Sequence, residues 1–204
     1  MDLRPVALTD ALPKARPGLT FCVSSVYNLH GPRGSGLPNA GGGLKKVPTL
    51  RLGDYLQENL VLWDLPSLDK PSFIEELVAR VVAVLPAVDG KELLDRLLER
   101  EAQQSTGIGD GLALPHAIVR GLEKTALAVG RCREGLDFAA LDSQPVDLLF
   151  LLLSPEEARD EHLRLLARLA RIVSPEETLA ELRSAAGPEE LFRMLLEQDA
   201  RHAY

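Results

Sequence analysis

Val146-Asp147-Leu148-Leu149-Phe150-Leu151-Leu152-Leu153-Ser154-Pro155-Glu156-Glu157 decides the fold class of this chain. The apolar run Leu148 to Leu153 is bounded by Asp147 and by Ser154-Pro155. It is far shorter than the roughly 20 residues a membrane-spanning helix needs, and it reads as a buried strand. Ser154-Pro155-Glu156-Glu157 then predicts a helix start, with a capping serine, a proline at the first helical position and a glutamate able to reach back to the cap. The same four residue types recur at Ser174-Pro175-Glu176-Glu177, and a last helix is expected after Gly187-Pro188.

Working back from the run, Ala126 to Cys132 and Leu112 to Leu114 read as further short extended pieces. Before them, Lys91 to Ala102 reads as a helix, as does Phe73 to Leu85, where Phe73, Leu77, Val81 and Val84 form one stripe. Leu60 to Leu65 predicts a strand. Strands interleaved with helices point to an α/β fold, a mixed central sheet flanked by helices in a single domain over residues 49–200. Residues 1–48 carry Gly31-Pro32-Arg33-Gly34-Ser35-Gly36 and Gly41-Gly42-Gly43 with no sustained period, and are expected to form a flexible N-terminal extension. This segment holds six Lys or Arg against two Asp, so the acidity of the chain belongs to the rest.

A length of 204 residues, 46% of them apolar, allows one full-sized core. The net charge of −7 weighs against nucleic acid, whose phosphates call for a basic excess. Cys22 and Cys132 have neither metal-ligand nor disulfide-framework spacing, which favours a reducing cytoplasm. Leu19 to Leu29 is interrupted by Ser24, Ser25 and Asn28 and makes a poor leader, so no direct membrane insertion is expected.

The chemistry concentrates in Arg100-Glu101-Ala102-Gln103-Gln104-Ser105-Thr106-Gly107-Ile108-Gly109-Asp110-Gly111-Leu112-Ala113-Leu114-Pro115-His116. Gly107, Gly109 and Gly111, at every second position, allow close approach of the backbone to a ligand and can offer N–H groups to an anion. The spacing fits neither a dinucleotide fingerprint nor a nucleotide-triphosphate loop. Taken alone, such glycines more often mark a structural turn. His116 follows Pro115, whose fixed φ helps hold the imidazole in one presentation, and a largely neutral imidazole has a lone pair for a phosphoryl donor. Arg100 is placed to clamp phosphoryl oxygens, the bland alternative being a surface ion pair with Glu99, Glu101 or a carboxylate one turn back. His162, Leu166, Leu169 and Val173 fall on one stripe, which puts His162 on a buried helix face. Arg164, Arg168 and Arg171 read as a solvated face.

Together these residues resemble the enzyme IIA components of the bacterial phosphoenolpyruvate-dependent phosphotransferase system, fructose and mannitol type. The resemblance runs through Arg100-Glu101, Ser105 to His116, Gln144 to Leu153 and the helix of His162, and covers about residues 49 to 197. It implies that His116 is phosphorylated on its tele nitrogen by a histidine phosphocarrier protein and passes the group to an enzyme IIB cysteine or serves a regulated target protein. It further implies that Arg100 stabilises the phosphoryl charge, that His162 sits beside the active histidine, and that Ser105 and Thr106 help shape the pocket. No cofactor or metal is called for. Ala117 stands where the family often has glycine, and the extension has no family counterpart. The stretch Gln144 to Leu153 is closest to the nitrogen-regulatory branch, with sugar uptake as the alternative. A non-catalytic binding module and a metal site on His116 and His162 are competing readings, the latter weakened because His30 and His202 lie in tail regions. The site is expected to be shallow and ringed by apolar surface, with Leu112, Leu114 and Ile118 in support.

Overall fold

The computed structural model of the protein describes residues 50–202; the extension expected over residues 1–48, with Cys22 and His30, lies outside the described residues. The described elements are β1 (Leu56–Leu62), α1 (Lys70–Val84), α2 (Gly90–Gln103), β2 (Gly107–Gly109), β3 (Leu112–Ala113), β4 (His116–Ile118), β5 (Ala126–Leu136), β6 (Val146–Ser154), α3 (Arg159–Ile172), α4 (Glu176–Arg183) and α5 (Pro188–Arg201). The sheet runs β1-β5-β6-β3-β2, with β4 also paired to β6. β6 is antiparallel to β5 on one side and parallel to β3 and then β4 on the other, so the sheet is mixed as expected.

The apolar run in β6 is continuous because both faces of the sheet are covered. Leu149, Leu151 and Leu153 pack with Phe73, Leu77 and Val81 of α1 and Leu93 and Leu97 of α2. Phe150 and Leu152 pack on the other face with Leu165 and Leu169 of α3, Leu182 of α4 and Leu195 of α5. Alternation along one strand thus feeds two separate cores in a single domain.

Four expectations change. The first strand is Leu56–Leu62 and not Leu60 to Leu65. Its early residues Gln57, Glu58 and Asn59 are exposed on an edge strand, which hides their strand character from a hydrophobic pattern. Neither Ser154 nor Ser174 caps a helix with its side chain. Pro155 and Pro175 themselves occupy the cap positions, the first ahead of a short 3-10 turn over Glu156–Ala158. Arg168 is buried, not solvated: its Nε donates to Asp199 Oδ1 at 2.6 Å, while Asp199 Oδ2 accepts from Leu52 N–H at 2.8 Å. That pair fastens the start of the described chain to α5. Leu112 and Leu114 are core residues and line no rim around a site.

Candidate functional site

His116 opens β4, and its register against Leu152 places it beside the last turn of β6. The chain leaving β6 passes through Ser154 and the 3-10 turn into α3, whose first turns carry His162. Parallel pairing of β4 with β6 therefore brings two histidines 46 residues apart to one end of the sheet, with ring centroids separated by 5.5 Å. Arg100, in the last turn of α2, approaches from the opposite layer, and its Nε–H donates to His116 Nε2 at 3.1 Å. Its Nη1 donates to Gln104 O at 2.9 Å, which holds the guanidinium in place. All three residues singled out from the sequence meet here.

The contacts fix the proton on His116. Nδ1 lies 2.8 Å from Leu114 O, and a carbonyl can only accept, so Nδ1 carries the hydrogen. Nε2 is then the lone-pair nitrogen, consistent with its accepting from Arg100. Burial pushes the pKa of His116 down to about 4 against the raising effect of the Leu114 carbonyl; the Arg100 charge lowers it further. His116 is neutral at pH 7, and its side chain is only partly buried.

The anticipated loop residues serve the site at one remove. Glu101, next to Arg100, accepts from Thr106 N–H at 2.9 Å and from Thr106 Oγ1 at 2.6 Å. Its Oε1 meets Lys70 Nζ at 2.5 Å, and Lys70 also donates to Phe138 O at 2.7 Å and to Ser105 Oγ at 3.2 Å. This network ties the end of α2, and with it Arg100, to the loop. The N–H groups of Thr106, Gly107 and Asp110 are engaged by Glu101, Ser105 Oγ and Asp142. A Cβ at Gly107 would lie 2.9 Å from Ala140 Cα, so the room this glycine provides is used for packing. Gly111, at φ +72°, faces Arg183 and Asp147.

Two residues to which the sequence assigned no part in the site complete the setting. His162 Nδ1 lies 2.9 Å from Ser154 Oγ, which in turn lies 3.2 Å from Thr125 Oγ1. Ser154 looked like a helix cap; Thr125 carried no signal, because only the antiparallel register of Ala126 with Leu153 brings it near.

Burial also lowers the pKa of His162 from 6.5 to about 4, with a smaller lowering from His116. Between those two values the unfolded chain binds a proton that folded His162 refuses. The stability this residue contributes is therefore full above pH 6.5 and lost as the pH falls toward 4. The expected loss is on the order of 2 kcal/mol between about pH 7 and 4.5. Urea unfolding at the two pH values checks it: His162→Asn flattens this part of the profile, and an unchanged slope refutes the assignment.

A mixed sheet covered on both faces by helices, with a neutral imidazole bridged to an arginine at the strand ends, defines an α/β protein suited to carrying an anionic group. The family described as "Phosphoenolpyruvate-dependent sugar phosphotransferase system, EIIA 2" matches residues 54–198, and the chain belongs to it. It is accordingly a phosphotransferase that works through a phosphohistidine. It is similar to the nitrogen regulatory protein of Pseudomonas aeruginosa, 36% identical over 148 residues, 72% of this chain and 96% of that protein. It is also 30% identical over 150 residues to the PTS system fructose-specific EIIABC component of Bacillus subtilis, covering 74% of this chain and 24% of that protein. Among solved structures, the nitrogen regulatory protein IIA-Ntr from Neisseria meningitidis superposes with a TM-score of 0.66 at 31% identity, over 71% of this chain and 98% of that one. No helix of the described residues is long and apolar enough to cross a membrane.

Proposed function

We propose that His116 is the phosphorylated residue and that the protein relays the group in a nitrogen-related regulatory branch of the phosphotransferase system. The observation that carries the reading is the Nδ1–H···Leu114 O hydrogen bond, which leaves Nε2 unprotonated, its lone pair accepting from Arg100 Nε–H. The donor is the phosphohistidine of a histidine phosphocarrier protein. Arg100 Nε–H first gives up the Nε2 lone pair; the donor's P–N bond then breaks as the bond from phosphorus to His116 Nε2 forms, and the donor imidazole leaves with its electron pair. His116 keeps its Nδ1 proton throughout, so no general base is needed. Catalysis is then positioning and charge stabilisation of a loose, in-line transfer, with Arg100 meeting the phosphoryl oxygens. A chain of such carriers operates in the cytoplasm.

Regulation is supported by the 96% coverage of the Pseudomonas nitrogen regulatory protein. Sugar uptake, with transfer onward to an enzyme IIB cysteine, is the second reading and rests on the Bacillus fructose-specific relative. Incubation with phosphoenolpyruvate and the upstream carriers, followed by peptide mapping, tests the assignment: an acid-labile phosphate on His116 Nε2 is expected, and phosphate on any other residue overturns it. Addition of enzyme IIB domains separates the branches, since rapid loss of the phosphate to an IIB cysteine favours uptake.

A further inference from the structure

We propose that the buried hydroxyl pair Thr125–Ser154 is a positioning device for His162, which holds that ring with its proton on Nε2, ready to donate to a phosphoryl group on His116. The proposal rests on the reading of His116 as the phosphorylated residue.

Ser154 is fully buried, and Thr125 and His162 are each about 5% exposed. Ser154 Oγ has two side-chain partners, Thr125 Oγ1 at 3.2 Å and His162 Nδ1 at 2.9 Å. Its single proton can go to one of them. If Thr125 donates to Ser154, Ser154 donates to Nδ1 and every hydroxyl proton is used inside the protein. In the opposite direction, from Nδ1–H through Ser154 to Thr125, the Thr125 proton finds no acceptor among the described residues. The first direction is therefore favoured, because a buried hydroxyl without an acceptor is costly.

The direction matters because His162 is neutral and so carries one N–H only. With Nδ1 accepting from Ser154, the hydrogen is on Nε2. That atom makes no hydrogen bond among the described residues, and no side-chain nitrogen or oxygen there is both buried and unpartnered, so Nε2 reaches solvent. The two rings are tilted at 58° with centroids 5.5 Å apart, so the His162 ring lies within reach of a group carried by His116. The other tautomer would turn a lone pair toward that group. The hydroxyl pair thus converts the position of His162 beside His116 into a hydrogen-bond donor of defined polarity.

The test combines 15N NMR of the histidine tautomers in the full chain with the rate of phosphorylation by a phosphorylated histidine phosphocarrier protein. In the native protein His162 is expected as the Nε2–H tautomer. Ser154→Ala and Thr125→Val, which remove hydroxyls with little change in volume, are expected to give a mixture of tautomers and a rate reduced about tenfold, the worth of one hydrogen bond to a charged group. Thr125→Ser, which keeps the hydroxyl, is expected to restore both readouts, showing that folding is not the cause. An Nδ1–H tautomer in the native protein, or variants with an unchanged tautomer and rate, overturns the proposal. Failure of the native protein to be phosphorylated on His116 removes the functional reading instead, and the tautomer measurement still decides whether the hydroxyl pair orients His162.

Discussion

His116→Ala abolishes acid-labile phosphorylation of the protein by phosphoenolpyruvate and the upstream carriers. The loss is expected to be complete within detection, because nothing else in the site can take over as nucleophile. Among the described residues His162 is the other imidazole nearby, and it is 5% exposed with Nδ1 engaged by Ser154. Arg100 has no nucleophilic lone pair at any accessible pH. The substitution itself is mild for the fold: the ring is partly exposed, and the backbone bond from Leu152 N–H to Pro115 O at 3.0 Å does not involve the side chain. The Leu114 carbonyl loses one partner, a cost of about 1 kcal/mol. Labelling with radioactive phosphoenolpyruvate, with circular dichroism to confirm folding, checks the result. Persistent phosphohistidine in the variant would show that the unprotonated Nε2 of His116 is not the acceptor.

The sequence disclosed most of this site because its parts are of two kinds. Phe73, Leu77 and Val81 announce a helix by their spacing alone, and the alternating leucines of β6 announce a buried strand. His116 and Arg100 stand out through residue type and local setting, next to a proline and at a helix end. What stayed hidden depends on pairings across the fold. Ser154 is as good a helix cap as any serine before Pro-Glu-Glu, and only the adjacency of α3 to β5 and β6 draws its hydroxyl to His162 and Thr125 instead. Arg168 shares a spacing with Arg164 and Arg171 that suits a wet face, yet Asp199, 31 residues on, takes it into the protein. Lys70 and Glu101, 31 positions apart, form their ion pair because α1 and α2 pack together, and neither carries a local sign of it.

Arg100→Ala is expected to slow phosphorylation of His116 by about a hundredfold while the protein remains folded, a loss typical of removing one preorganised donor to developing charge. Arg100 lies partly exposed in the final turn of α2, and among the described residues its hydrogen bonds go to His116 and Gln104 O, so its removal leaves the core untouched. Two effects combine. The first is loss of the guanidinium from the phosphoryl oxygens; Arg100→Lys restores charge but not the planar fork, and should recover part of the rate only. The second acts on the nucleophile before any donor arrives. The Arg100 charge helps hold the His116 pKa down, so its removal lets that pKa rise, although burial, the larger cause, still opposes protonation. A protonated Nε2 has no lone pair. The native rate should therefore be level from about pH 8 down to 6, whereas the alanine variant should lose further activity toward the acid end. A hundredfold defect that is constant across this range would assign Arg100 wholly to the phosphoryl group. A native rate that halves near pH 6.5, the ordinary value for imidazole, would show that His116 is not held neutral by its surroundings.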